Sequence, residues 1–444
     1  METDRAPPWM RLGPTLPLAA PACTWNAARV TPAADRFPDT HLTLCLTHDC
    51  NLRCRYCYGG AKSKRHMTLA VGRAALDRAV ARTSERLHLV YFGGEPLLRW
   101  RTLVALTERA AELATAASLE LRPTVTTNGT LLTDERTAWL RERRFVLAIS
   151  CDGTKEAHDA NRRDARGRSS HARTVAGLRR ALDAGLGLRV ILVLHPDNVD
   201  LLPDSLAFLH DLGAGDFVVN PDWSADWQDE PLQARWEHAY EAAARLWTDA
   251  HRAGRPFWLS FVDDKIAAAV KGGYTPAERC DLGRRNLVVA PSGRLYPCDR
   301  LVGEDREVRA ETQRRREKGN RVGRTAVTRA DEGGFAIGDV RSGPDPTLVA
   351  ALVARTCGMP ADCLECAIAP RCRNRCACAN LALTGDPGVP SATLCFHEQL
   401  AVRVADAAAE TLAAERNESF LRRLGPPNMC RPARSRTPTG LTAS

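Results

Sequence analysis

Three cysteines, Cys50, Cys54 and Cys57, are spaced C-x3-C-x2-C within Thr47-His48-Asp49-Cys50-Asn51-Leu52-Arg53-Cys54-Arg55-Tyr56-Cys57. Thiolates are the usual protein ligands of iron–sulfur clusters, and four of them complete a cubane. A set of three leaves one iron free to bind something else. Zinc sites normally pair a C-x2-C with a second such pair, and this stretch has none. The whole chain carries sixteen cysteines in 444 residues. Its start, Met1-Glu2-Thr3-Asp4-Arg5, leads into a Pro-rich rather than an apolar stretch, so no secretion signal is evident. Metal or catalytic use of the cysteines is therefore expected over a disulfide framework, together with a cytoplasmic location. No apolar run is long enough to span a membrane. The net charge of +9 is compatible with an anionic partner, but no basic stripe with interleaved aromatics accompanies it, which argues against nucleic acid.

These cysteines need a scaffold, and the hydrophobic pattern supplies one. Short apolar runs at 41–47, 88–92, 119–127, 145–151, 188–194 and 217–220 read as strands. Amphipathic patterns near 67–85, 100–117, 133–143, 170–185 and 200–211 read as the helices between them. The rhythm implies a parallel sheet, open or curled towards a barrel, with chemistry at the C-terminal strand ends. The cysteine triplet follows the first strand directly and so falls at that edge. Further helices are expected over 229–254, 261–271 and 396–424. Residues 1–40 read as an irregular lead-in, and 303–334 as a charged insertion. The tail 426–444 has the composition of a disordered segment.

The triplet closely resembles the cluster loop of radical S-adenosylmethionine (SAM) enzymes. The resemblance implies a [4Fe-4S] cluster on Cys50, Cys54 and Cys57, with SAM chelating the fourth iron and Tyr56 beside its adenine. Other segments agree in order and position. Gly93-Gly94-Glu95-Pro96 matches the family's GGEP element; two glycines let backbone approach a ligand, and Glu95 can accept from an ammonium. Thr126-Thr127-Asn128-Gly129 matches a TNG element. Ser150-Cys151-Asp152-Gly153 resembles S-x-D-G, whose serine helps hold SAM. His158-Asp159-Ala160-Asn161-Arg162 resembles an H-D-x-x-R element, which implies Arg162 at the SAM carboxylate. The following Gly167-Arg168-Ser169-Ser170 departs from the usual G-x-G-S.

A second cysteine set comprises Cys280, Cys298, Cys363-x2-Cys366-x5-Cys372-x3-Cys376 and Cys395. It resembles the SPASM domain, a carrier of two auxiliary [4Fe-4S] clusters. The resemblance implies Cys363, Cys366, Cys372 and Cys395 on an outer cluster, and Cys280, Cys298 and Cys376 on an inner one. Sulfatase-maturing members carry a further cysteine six residues before Cys280, where this chain has Tyr274. Cys357 or Cys378 could stand in, or the inner cluster keeps an open iron able to bind substrate sulfur. Asp299 directly follows Cys298 at the position where maturases carry a catalytic base. Cys23, Cys45 and Cys430 match nothing.

The expected architecture is thus α/β: a partial (β/α)6 radical SAM barrel over 41–255, then a SPASM domain over 256–400 and a C-terminal helix over 401–425. The resemblance implies an enzyme that makes a 5′-deoxyadenosyl radical and oxidatively modifies a peptide or protein side chain, as a thioether or carbon–carbon crosslink in a ribosomally made peptide. The alternative is an anaerobic sulfatase-maturating enzyme that forms formylglycine from Cys or Ser. An external donor of flavodoxin or ferredoxin type would supply electrons, and the auxiliary clusters would take up the substrate electron. With about forty residues before the first strand, no winged-helix leader-binding module is expected.

Overall fold

The computed structural model describes residues 36–275, 278, 283–303, 305, 335–356, 360–373 and 376–424. Cys23, Cys280, Cys357, Cys430, the lead-in to 35, nearly all of the 303–334 insertion and the tail lie outside them. The strands are β1 Phe37–Thr47, β2 Leu52–Cys54, β3 Thr83–Gly93, β4 Glu120–Thr127, β5 Val146–Ser150, β6 Arg162–Asp164, β7 Gly187–Leu194 and β8 Asp216–Pro221. They continue with β9 Trp258–Leu259, β10 Asn286–Val289, β11 Arg294–Tyr296, β12 Gly338–Asp339 and β13 Gly343–Pro344. The first eight helices are α1 Leu69–Ala81, α2 Trp100–Ala116, α3 Asp134–Glu142, α4 Lys155–Asn161, α5 His171–Asp183, α6 Leu202–Asp211, α7 Glu230–Arg252 and α8 Ser260–Val270.

One sheet runs β13-β12-β11-β10-β1-β3-β4-β5-β7-β8-β9. From β10 to β9 every neighbour is parallel, whereas β10 to β13 pair antiparallel. The six expected strands are β1, β3, β4, β5, β7 and β8, each followed by helix, in the order of a partial (β/α)6 barrel. Side chains alternate across a strand. Leu42, Leu44 and Leu46 of β1 and Leu87, Leu89 and Tyr91 of β3 are fully buried in the main hydrophobic core. Thr43, Cys45, Val90 and Phe92 face the other way and line a cavity. Among the described residues the cysteine-rich part builds no sheet of its own: β10 pairs with the outer edge of β1, so the hairpin β10–β11 extends the barrel sheet.

Several boundaries differ from the sequence expectation, among them the start of β1, which lies at Phe37 inside the expected irregular lead-in 1–40. The first helix ends at Ala81 rather than 85, and β3 starts at Thr83. Glu85 reads as the end of the helix in the sequence, and Arg86 falls between that helix and the next strand. In the fold Arg86 bridges across strands to Asp39 and Glu120, so its charge stabilises sheet pairing. The last helix is two, Ala392–Ala414 and Glu418–Arg423. Arg416 turns left-handed (φ 51°), and the Asn417 side chain accepts from the Phe420 N–H, capping the second helix.

Candidate functional site

The cysteine loop is held on three sides. Thr47, the last residue of β1, accepts the Asp49 N–H through its hydroxyl at 2.9 Å, and the same oxygen lies 2.7 Å from His66 Nδ1. The short strand β2 then pairs antiparallel with β6, placing Cys54 opposite Arg162. The Arg55 N–H donates to the Asn161 carbonyl at 3.0 Å. This two-stranded ladder was not expected from sequence, because three-residue strands carry no readable period.

Gly93 and Gly94 prove to serve the loop itself. Gly93 has φ 121°, and a Cβ there would lie 2.5 Å from the Thr47 carbonyl oxygen; a Cβ on Gly94 would lie 2.0 Å from that of Asp49. The close approach lets Gly94 N–H reach the Thr47 carbonyl at 2.7 Å and Glu95 N–H the Asp49 carbonyl at 2.8 Å. Glu95 has protein partners of its own. Its fully buried carboxylate accepts from the Leu97 N–H (3.0 Å) and Thr127 hydroxyl (2.8 Å) on one oxygen, and from the Asn128 N–H (2.8 Å) on the other. Three protein donors use the carboxylate, which welds the end of β3 to the end of β4. Pro96 follows at the start of a short 3₁₀ helix, Pro96–Arg99, capped by the Glu95 side chain.

Asn128 carries that weld to the cysteines. Its amide donates to Asn51 Oδ1 at 2.8 Å and lies 3.9 Å from Cys50 Sγ, while the Leu52 N–H points at the same sulfur at 3.4 Å. On the far side, Asp152 accepts from the Tyr56 hydroxyl, from Arg162 Nε at 3.0 Å and from the Val193 N–H at 2.9 Å. The Arg162 guanidinium lies 5.1 Å from the centre of the Tyr56 ring. Among the described residues only its Nε has an acceptor, which leaves the outer nitrogens for the cavity. His158 backs this arrangement: burial lowers its imidazole to about 4, so the ring is neutral. Its Nδ1 then accepts the Asp152 N–H (3.4 Å), and Nε2 donates to the Ser170 hydroxyl (2.9 Å), which donates to the Arg162 carbonyl (2.6 Å). Ser170 is thus the matching serine of G-x-G-S; the departure is Ser169, which stands opposite Arg163 in an antiparallel bridge.

Cys50, Cys54, Cys57, Tyr56, Gly93, Gly94, Asn128, Ser150 and Arg162 all line one cavity of about 550 Å³. Burial pushes the Cys50 thiol up to about 12 and raises Cys54 as well. Such thiols ionise only when a cation compensates, and coordination to a metal does so outright. Lys62 Nζ stands 2.8 Å from Cys57 Sγ, a first positive charge on the same sulfur set. Among the described residues no three His, Cys, Asp or Glu side chains converge as a single-ion site requires. A cavity of this size, with three thiols on one wall and glycine backbone on the next, fits a cluster with a small polar ligand.

Asp299 reaches the same cavity from the C-terminal half. It lies on a 3₁₀ turn, Asp299–Leu301, just beyond the β11 end. Its carboxylate accepts from the Tyr58 hydroxyl at 2.7 Å and from Cys298 Sγ at 3.3 Å. The auxiliary cysteines fall into two neighbourhoods. Burial raises the Cys376 thiol, with Cys298 and Asp299 adding to the rise; burial raises Cys395, with Cys363 and Cys366 adding. Cys372 is buried just beyond the turn Ala369–Arg371. Tyr274 is packed away as structure, its ring 5.0 Å from the Arg373 guanidinium and 5.6 Å from Lys265 Nζ. Cys378 is buried in the main core. Residues missed from sequence include Lys62, Tyr58, Asn220 near the end of β8, and Asp222, Trp223 and Ser224 just after it. The rule that function collects at C-terminal strand ends would have found the last four.

Residues 44–209 match the Radical SAM superfamily. The chain is 26% identical over 273 residues to the serine-type anaerobic sulfatase-maturating enzyme of Klebsiella aerogenes, covering 58% of this chain and 65% of that protein. It is 25% identical over 277 residues to the antilisterial bacteriocin subtilosin biosynthesis protein AlbA of Bacillus subtilis (strain 168), covering 60% of this chain and 57% of that protein. In fold it is similar to native anSMEcpe with bound AdoMet and Cp18Cys peptide, with a TM-score of 0.67 at 16% identity over 85% of this chain and 100% of that one. Among the described residues no helix is long and apolar enough to cross a membrane. With its cysteine loop, its welded strand ends and the family match over the same residues, this chain contains a radical SAM domain spanning 44–209.

Proposed function

We propose that this chain is a radical SAM enzyme that oxidatively modifies a peptide or protein side chain, forming a thioether or carbon–carbon crosslink in a ribosomally made peptide. One observation carries the reading: three thiols from one half and Asp299 from the other open into a single cavity. A reduced [4Fe-4S] cluster with SAM supplies, when bound, a 5′-deoxyadenosyl radical able to take hydrogen from an unactivated carbon. Cys50, Cys54 and Cys57 would hold the cluster. Tyr56, the Gly93–Gly94 backbone, Ser150 and the outer nitrogens of Arg162 would hold SAM, while Glu95, Pro96, Asn128 and Asp152 position them. Asp299 takes the proton that the substrate loses. A coordinated Cys298 has no S–H, which leaves Asp299 Oδ1 open to the cavity. Two auxiliary clusters are assigned to Cys363, Cys366, Cys372 and Cys395, and to Cys280, Cys298 and Cys376, with an external flavodoxin- or ferredoxin-type donor and a cytoplasmic location.

Anaerobic reconstitution should load about twelve irons per chain if three cubanes form. Dithionite and SAM should then release 5′-deoxyadenosine. A fully iron-loaded, reduced protein that releases none would remove the enzyme reading. The second reading, a sulfatase maturase, is favoured by the fold likeness to anSMEcpe and by Asp299. Tyr274, fixed between Arg373 and Lys265, weighs against it. Formylglycine in a Cys- or Ser-containing sulfatase peptide after turnover would decide for it.

A further inference from the structure

We propose that Arg300 binds a carboxylate of the peptide substrate, so that the substrate carries an Asp or Glu beside the residue that is modified. This rests on reading the cavity as a peptide-modifying site. Arg300 lines that cavity next to Asp299, with its guanidinium 5.4 Å from the centre of the Tyr58 ring. Stacking engages one face of the guanidinium and leaves its edge of N–H donors. Among the described residues no acceptor takes them. Asp299, with the Cys298 and Cys376 sulfurs, supports the Arg300 charge through space, but its oxygens accept hydrogen bonds from the Tyr58 hydroxyl and Cys298 and not from the guanidinium. Asp222, also in the lining, accepts from the backbone and hydroxyl of Ser224. The other cations of the lining are differently placed: Arg162 is paired with Asp152 on the Tyr56 side, and Lys62 stands on Cys57.

A guanidinium in a half-enclosed, largely apolar cavity is costly unless an anion meets its edge, and a carboxylate fits that edge with two parallel bonds. The phenol that supports Arg300 also donates to Asp299. A peptide carboxylate on Arg300 would therefore be anchored one residue away from the group that takes the substrate proton. The SAM carboxylate is the other source of the same chemistry. Arg162 already offers outer nitrogens to it on the side of the cysteine loop, which leaves Arg300 for the peptide.

The test uses the anaerobically reconstituted holoenzyme with SAM, panned against a random-peptide display library. Wild type should enrich Asp or Glu at one position; Arg300→Gln should lose that enrichment, and Arg300→Lys should keep part of it. The best selected peptide and its Glu→Gln or Asp→Asn counterpart are then compared by fluorescence polarisation. Wild type should prefer the acidic form by about 10- to 100-fold, the range of a charge-assisted hydrogen bond, and Arg300→Gln should bring the ratio close to unity. A wild-type pool without acidic enrichment overturns the proposal, as does a ratio that Arg300→Gln leaves intact. Weaker SAM binding in Arg300→Gln, read by equilibrium dialysis with the peptide ratio unchanged, would assign the guanidinium to SAM instead. A shifted auxiliary-cluster potential with the ratio unchanged would make it a redox-tuning group, which also overturns it. If Arg300→Gln fails to fold, the wild-type peptide pair and Arg300→Lys still decide. A holoenzyme that releases no 5′-deoxyadenosine sinks the proposed function itself; one that releases it without acidic preference sinks only this inference.

Discussion

Replacing Glu95 by Gln keeps the side chain's size and converts one acceptor oxygen into a donor. The native carboxylate meets three donors within 3.0 Å, two of them backbone N–H groups, Leu97 and Asn128. Whichever way the amide is turned, one of those N–H groups faces an NH₂ and loses its acceptor. A buried donor left unpaired costs about 1–3 kcal/mol, and the remaining bonds fall from charge-assisted to neutral strength. Burial raises the Glu95 carboxyl above its ordinary value, so neutralising it recovers part of the desolvation. With three donors against one desolvated charge, the loss wins, and Glu95→Gln should destabilise the metal-free protein by about 2–4 kcal/mol. Urea unfolding of the apo protein under reductant, followed by the fluorescence of its nine tryptophans, measures this directly. An unchanged midpoint refutes the structural role. An unchanged midpoint with weakened SAM binding would return Glu95 to the role of accepting from the SAM ammonium.

Gly94→Ala should push the Asp49 backbone away, since its Cβ would lie 2.0 Å from that carbonyl oxygen. Reconstituted iron should drop from about twelve to about eight per chain, whereas Gly215→Ala, with nothing within 4 Å and no positive φ, should retain the full load. Lys265 and Glu398 form a 2.6 Å ion pair with each side chain 3% exposed, so Lys265→Met should cost about 3–5 kcal/mol; Lys265→Met with Glu398→Leu should recover most of it, as paired unfolding curves would record. Burial pushes the Glu398 carboxyl up, but Lys265 and His397 more than reverse this and hold it well below the usual range. Its stabilisation is therefore complete above the unfolded value of about 4.3 and drains away as pH falls below it, so the double variant should show a flatter acid-side stability curve. Asp299→Asn should cut product formation by about 10²- to 10⁴-fold and raise the ratio of 5′-deoxyadenosine to product, read by chromatography; an unaltered ratio removes Asp299 as the base.

Strand order, helix alternation and the position of the cysteine loop were legible because period-2 and period-3.6 patterns are local. The β2–β6 ladder was not, because three residues on each side carry no period and the pairing spans more than a hundred residues. The element Gly-Gly-Glu-Pro was recognised as a motif, yet part of its work was hidden. The glycines admit the backbone of the cysteine loop, and Glu95 ties strand ends together, neither of which a linear motif reveals. Thr83–Glu85 was assigned to helix, and Arg86 to neither element, because charge reads as surface until Asp39 and Glu120 are brought beside it.

By itself, then, the sequence determined the cysteine spacing, and with it the three-thiol wall, the radical SAM resemblance and the parallel α/β scaffold. Ligand spacing and hydrophobic period are properties of neighbours along the chain. Only the tertiary structure decided that Asp299 and Arg300 share the cavity of Cys50, Cys54 and Cys57. That meeting depends on β10 pairing with the free edge of β1 across more than two hundred residues, which turns the end of the β10–β11 hairpin over the cavity. Such edge pairing is set by which strand edge is left open after the barrel strands have packed, a condition that does not exist until they have.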